Sequence, residues 1–427
     1  ECRLLTGIII PSGVTSIGVG AFAECTALTS INIPSGVTSI GSSAFYGCIG
    51  LTSIDIPSGV TSIGAVAFYG CSVPTSIAIP ATVTSIGTNA FKGCSGITEI
   101  SIPPCVSRLS TMFPDAYFNI NKVAFVGNWT SVSVENFKEC TALTNINIPT
   151  TVTSIRSSAF YGCTGLTSFD IPSGVTSIED SVFYGCNALT SIIIPSGVTS
   201  VASNTFLNCS ALTTVDIPAS VTIIDYSAFC GCSALTNISI PAGVTQINNY
   251  AFYGCSALSS INIPAGVSCI TDYAFAGCRT LTGINIPYGV TSIGFASFDG
   301  CNSLTSIDIP ATVTSIGSYA FRGCSKITEV SIPPCVVKLS ATFSSSYLTI
   351  TKVTFVGNWT SIGNDAFKNC ASLTDFVIPS SVTSIGAGAF SYCNALTSIN
   401  IPSGIANIDT NAFYQCSGIT EVSIPPY

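Results

Sequence analysis

A proline returns every 23 residues along this chain: Pro11, Pro34, Pro57, Pro80 and Pro103, then Pro149 to Pro333, then Pro379, Pro402 and Pro425. Of the 19 positions in that series only Val126 and Val356 depart from it. Around each position stands the pattern L-T-S-I-x-I-P-x-x-V-T-S-I-G-x-x-A-F-x-G-C-x-x. A fixed period of this length is the signature of a solenoid in which one repeat makes one coil. No single coil buries its own apolar residues, so the core exists only through stacking. The register shows no linker, charge run or phase shift. It predicts a single elongated domain over residues 1–427, with 18 complete units counted from Leu5.

In the unit from Leu28 to Gly50, Ile31 and Ile33 alternate with Ser30 and Asn32, which reads as a short strand with the isoleucines inward. Pro34 stops it, because proline has no amide proton to continue a ladder. The run Ile33-Pro34-Ser35-Gly36 suits a type I turn with proline second. Val37 and Ile40 then face inward from a second short strand. The spacing of Ala44, Phe45 and Cys48 predicts one helical turn, α or 3₁₀.

Composition excludes several classes of function. Charged residues are only 7% of the chain while apolar ones are 47%, so Ser, Thr and Asn replace the usual surface charge. Twelve basic against 20 acidic residues, a formal charge of -8, provide no basic face for nucleic acid. The apolar runs are too short to span a membrane. The chain opens on Glu1 with no signal peptide and begins and ends inside a repeat, which reads as a mature fragment or a piece of a longer array.

Seventeen of the 21 cysteines share one phase, Cys2 through Cys416. Such a column suits buried, weakly hydrogen-bonding thiols. Disulfides between successive coils are the alternative, disfavoured because stacked parallel side chains hold their Cβ atoms too far apart. Cys105, Cys230, Cys269 and Cys335 lie off the column and are the better disulfide candidates. Zinc is disfavoured by the absence of any histidine or CxxC pair, and no cofactor is expected.

With its I-x-I-P, V-T-S-I-G and A-F-x-x-C elements the unit resembles the BspA-type leucine-rich repeat over essentially the whole chain. The resemblance implies a right-handed, curved leucine-rich-repeat solenoid with a parallel β-sheet on its concave side and second short strands and short helical turns elsewhere. It also implies a secreted or cell-surface protein of the kind associated with adhesion, and it has no catalytic residues to carry over.

Two units, 103–126 and 333–356, depart from the consensus and do so alike. Both begin P-P-C-V, both lead into V-G-N-W-T-S, and they lie ten units apart. Each lacks the A-F-x-x-C element. The only tryptophans, Trp129 and Trp359, follow them at the phase of Val37, which predicts a core position. On the outward strand phases Glu99, Lys122 and Asn145, and their counterparts Glu329, Lys352 and Asp375, break an otherwise uniform Ser/Thr/Asn face. They are the candidate binding residues, with an exposed ion pair as the plainer reading. Asp55, Asp170, Asp216 and Asp308 are too widely separated for a calcium cage or an acid/base pair. With no histidine to activate a Ser or Cys nucleophile, catalysis is not expected. Among four sequons, Asn128 and Asn358 are the preferred glycosylation sites in a glycosylating host.

Two function classes follow. One is a non-catalytic extracellular or cell-surface adhesin that contacts protein or glycan through the concave face. The other is a structural protein that assembles end to end, since open strand edges invite pairing.

Overall fold

A regular coil runs through a first extended segment, paired as a strand in most coils, then a turn, a two-residue second strand and a run of tight turns that leads to the next coil. The computed structural model describes residues 2–71 and 75–424, so Glu1 and Pro425 lie outside the described residues. The protein is a parallel-strand solenoid of about 18 turns with little helix. By contact density it divides into two compact units, Glu1–Val198 with Asn204–Leu212, and Thr199–Ser203 with Thr213–Tyr427.

In the first unit the second strands Ser16–Ile17, Ser39–Ile40, Ser62–Ile63 and Ser85–Ile86 form one parallel sheet, with Ser39 opposite Ser62 and Ile40 opposite Ile63. The second unit repeats this through Cys269–Ile270, Ser292–Ile293 and Ser315–Ile316. Because pairing is 23 residues apart, each repeat phase becomes a column of near-identical side chains. Leu51, Val60, Phe45 and Cys48 are fully buried, as are their counterparts in most coils. The phenylalanine rings stack coil on coil, Phe45 on Phe68 at 5.2 Å and Phe298 on Phe321 at 5.3 Å. Burial of each ring contributes about 1.5–3 kcal/mol, and the stacking about 0.5–1.5 kcal/mol more.

In-register columns also explain the shortage of charge, because like charges directly opposite each other destabilise a sheet. Threonine serves instead. Thr61 donates both its amide (2.8 Å) and its hydroxyl (3.1 Å) to the carbonyl of Thr38 one coil earlier. Several of the charges that do occur are matched by the opposite sign 23 positions away, as for Lys122 and Glu99 at 2.9 Å and for Arg322 and Asp299.

Two local expectations are corrected. Pro34 is first rather than second in its turn: its carbonyl accepts the amide of Val37 at 3.0 Å. Proline can end the strand there because only its carbonyl is needed to close the turn. The second correction is that the A-F-x-G-C run is not helical. Residues Gly41 to Cys48 form successive turns in which Ala44 bonds Gly41, Tyr46 bonds Ser43 and Cys48 bonds Phe45. The intervening amides of Ser43, Phe45 and Gly47 reach forward to carbonyls of the next coil, at 3.0, 2.7 and 2.7 Å. This alternation requires left-handed backbone at Ser43 (φ 56°) and Gly47 (φ 71°). Glycine suits the second position, whereas the first is occupied by Ser, Asn and Asp in many coils but by Tyr250, Tyr273 and Tyr319 in three. A non-glycine residue there costs about 1–2 kcal/mol, least for short polar side chains.

Helix occurs where it was not expected, in the two altered units: Leu109–Met112 followed by the 3₁₀ turn Tyr117–Asn119, and Leu339–Phe343 followed by Ser344–Thr349. The helix moves the ring of Phe113 into the phenylalanine column although it lies one residue out of phase, stacked on Phe91 at 4.8 Å. Phe343 does the same on Phe321 at 5.0 Å.

Candidate ligand-binding face

The departures from proline at Val126 and Val356 have a direct structural consequence. Each valine supplies the amide that proline lacks, so Val126 donates to Ile102 and Val356 to Ile332, both at 3.0 Å. The same two carbonyls accept the buried indoles: Trp129 Nε1 lies 3.3 Å from Ile102 O and 3.1 Å from Val126 O, and Trp359 matches it at Ile332 and Val356. Both indoles are core residues, 1% and 4% exposed. The first strands reach four residues in these blocks, Glu99–Ile102 beside Lys122–Phe125 and Glu329–Ile332 beside Lys352–Phe355. Most strands elsewhere have two or three.

On the outer face of those strands Glu99 is opposite Lys122, with Nζ 2.9 Å from the carboxylate. In the second unit Lys352 lies between Glu329, at 3.9 Å, and Asp375. Asn145 is exposed at the same phase one coil after Lys122. A shallow depression of about 310 Å³ surrounds the first pair, lined by Ser76, Ala78, Glu99, Ser101, Lys122 and Ala124. The second block differs. Its depression, about 440 Å³, lies to one side, at Asn285, Tyr288, Asp308, Ser331 and Val356, with Ser331 donating to Asp308 at 2.6 Å.

A second charged cluster, which links each altered unit to the coil that follows it, also appears twice. Glu135 pairs with Arg108 and with Lys138 at 2.8 Å. Its counterpart Asp365 pairs with Lys338 and Lys368, both at 3.3 Å. The hydrogen bond from Lys338, then that from Lys368, holds the Asp365 carboxyl below its usual range. These clusters had a sequence signal, opposite charges 27 and 3 residues apart recurring at an offset of 230, but a reading along single columns misses it.

The off-column cysteines are free thiols. Cys105 and Cys335 occupy the phase of Gly36, where the side chain caps the preceding coil: Cys105 donates to Val83 O at 3.2 Å, as Thr82 does to Val60 O at 2.8 Å. Burial raises both thiols above their ordinary value. The sequon residues Asn128, Asn208, Asn237 and Asn358 are all exposed.

Sequence reasoning also missed a row of aromatic side chains on the turn-bearing side of the second unit: Tyr226, Tyr250, Tyr253, Tyr273, Phe295 and Tyr319. The available signal was a concentration of tyrosine at turn phases in consecutive units.

A sequence profile for the BspA type leucine rich repeat region, in six copies, matches residues 1–113, 111–236, 223–349 and 340–427. The chain belongs to the BspA-type leucine-rich-repeat family. Among solved structures, a leucine-rich repeat protein from Bacteroides ovatus is 31% identical, with a TM-score of 0.60 over 83% of this chain and 85% of that one. A leucine rich cell surface protein from Faecalibacterium prausnitzii is 28% identical over 86% and 84% of the two chains, with a TM-score of 0.31. A leucine-rich repeat protein from Eubacterium ventriosum is 28% identical over 64% and 83%, with a TM-score of 0.42. No curated protein sequence matches at a significant level. Leucine-rich-repeat proteins of this kind are generally non-catalytic binding scaffolds, and no enzyme family is indicated. Among the described residues no helix is long and apolar enough to cross a membrane.

Proposed function

We propose that this BspA-type protein is a non-catalytic extracellular or cell-surface adhesion protein that binds a protein or glycan partner on the outer face of its first-strand sheet. The observation that carries the reading is the placement of Glu99 with Lys122, and of Glu329 with Lys352, on paired four-residue strands, with Asp375 beside Lys352 on the next strand, on a face otherwise made largely of Ser, Thr, Asn and isolated aspartates. Uniform Ser/Thr/Asn columns provide many equivalent weak contacts but little discrimination. The charged blocks add a distinct chemical signature, and the extended strands beneath them fix its geometry. Asn128 and Asn358, exposed beside the same blocks, are the proposed acceptor sites if the chain passes through a glycosylating secretory route.

The test is solid-phase binding of the purified chain to arrayed matrix proteins and glycans, repeated with Lys122→Ala/Lys352→Ala. Captured partners should bind the double variant at least tenfold more weakly, while its stability changes by less than about 0.5 kcal/mol, as for exposed pairs. Full binding by the variant would place the site elsewhere, and filaments of pure protein under the microscope would favour the assembly role.

A further inference from the structure

The turn-bearing side of the second unit carries an aromatic row that the sheet-face reading does not use. Tyr226 meets Tyr250 edge to face at 5.6 Å, and Tyr250 stacks on Tyr273 at 4.7 Å. Tyr253 closes against both at 5.8 and 6.3 Å. Phe295 meets Tyr273 at 5.3 Å and Tyr319 at 5.7 Å, and the Arg322 guanidinium lies 5.1 Å from the Tyr319 ring. Five consecutive coils contribute, and Tyr226, Tyr253, Phe295 and Tyr319 are 36–47% exposed.

Backbone economy does not explain these residues. Tyr250, Tyr273 and Tyr319 occupy the left-handed turn position that Ser, Asn, Asp or Gly fills in most other coils, with Val66, Glu135 and Ala296 the remaining exceptions. A bulky ring held in that conformation in three of four consecutive coils is an outlier, and such outliers concentrate where a surface is used.

We propose that this row binds a proline-rich segment of a partner protein in the polyproline II conformation, with basic residues at its flanks. Three features of the row select that occupant. The first is length: successive coils advance by about 4.8 Å, so two coils match one polyproline II turn of about 9.3 Å. Five coils therefore accommodate about two turns. The second is hydrogen bonding. A polyproline II backbone has no internal hydrogen bonds, so its carbonyls can accept from phenol hydroxyls, which explains tyrosine at five of the six positions. Aromatic-lined surfaces are a recurring way of holding such segments. The third is charge. Asp225 accepts the Tyr226 amide at 2.7 Å, Asp272 accepts the Phe295 amide at 2.7 Å, and Asp299 pairs with Arg322. Three carboxylates against one guanidinium along the row favour a cationic ligand.

The test titrates the full chain with the peptide Arg-Pro-Pro-Pro-Pro-Pro-Pro-Arg by calorimetry and by NMR of ring-labelled tyrosine. Chitohexaose and a peptide with glycine in place of proline serve as comparison ligands. The proline peptide should bind at least tenfold more tightly than either comparison and shift the tyrosine resonances. Tyr226→Ala/Tyr253→Ala/Tyr319→Ala, which spares the Tyr250–Tyr273 stack, should reduce that affinity tenfold or more. The matching Phe variant keeps the rings, guards against misfolding and should fall between. The proposal is overturned by absence of peptide binding, by binding that the alanine variant retains, or by tighter binding of chitohexaose, which would make the row a carbohydrate platform. None of these outcomes bears on Lys122 and Lys352, whose variant should bind the peptide normally.

Discussion

The thiol of Cys163 donates to the carbonyl of Phe137, 26 residues earlier and 3.0 Å away. The same relationship recurs at 3.2 Å from Cys71 to Phe45 and from Cys301 to Phe275. Cysteine is small enough for the column, apolar enough to be buried there, and able to satisfy a carbonyl of the neighbouring coil. Native protein should therefore react slowly with a thiol reagent, and denaturation without reductant should release most of the 17 in-phase thiols. Mass spectrometry that finds successive coils bridged would overturn this account.

Alkaline pH should unfold the protein abruptly. Burial raises Cys48 from 9.0 to about 11, and Cys94, Cys163 and Cys324 to about 12. Between pH 9 and 12 the unfolded chain loses these protons while the folded chain retains them. The stability they contribute is thus fully present below pH 9 and lost as pH rises through the folded values. Each thiol gives a slope of about 1.4 kcal/mol per pH unit, and the column sums many of them. Circular dichroism should show melting temperatures that are flat from pH 7 to 8 and fall steeply above 9. A flat profile to pH 11 would contradict the burial of the column.

Restoring the repeat consensus at position 126 should weaken the protein. Val126→Pro removes the amide bonded to Ile102, at a cost of about 0.5–1.5 kcal/mol. Trp129→Phe removes the indole donor from the half-buried carbonyl of Val126, while Ile102 keeps the Val126 amide, and should cost about 1–3 kcal/mol. Urea titration measures both. A stabilising Val126→Pro would show that the extra ladder bond contributes nothing.

We further propose that residues 1–427 form one uninterrupted solenoid. Deleting 23 residues from Ser42 to Gly64 should then leave a folded chain, because every later side chain returns to its column. Deleting 22 from the same start shifts each column by one and turns core residues outward, as a register slip does in any sheet. Limited proteolysis should spare 103–126 and 333–356 as fully as regular coils. Rapid cleavage within either would mark it as a linker.

Much of this molecule is legible in one dimension because its contacts repeat at one sequence distance. Ile40, Phe45, Cys48 and Trp129 are placed in the core by phase alone, and Glu99 and Lys122 are made neighbours by a separation of 23. What phase does not encode is backbone hydrogen bonding within the coil. A spacing of three and four is shared by a helical turn and by linked tight turns, and the choice here follows from amides such as Phe45 reaching carbonyls of the next coil. Among the described residues helix appears only in the altered units, where it carries Phe113 back into its column despite a one-residue offset. The pairing of Glu135 with both Arg108 and Lys138, and the joining of tyrosines from different phases into one row, are also set by tertiary structure. The period thus fixes which residues are stacked along a column, while contacts between columns depend on how the chain turns within each coil.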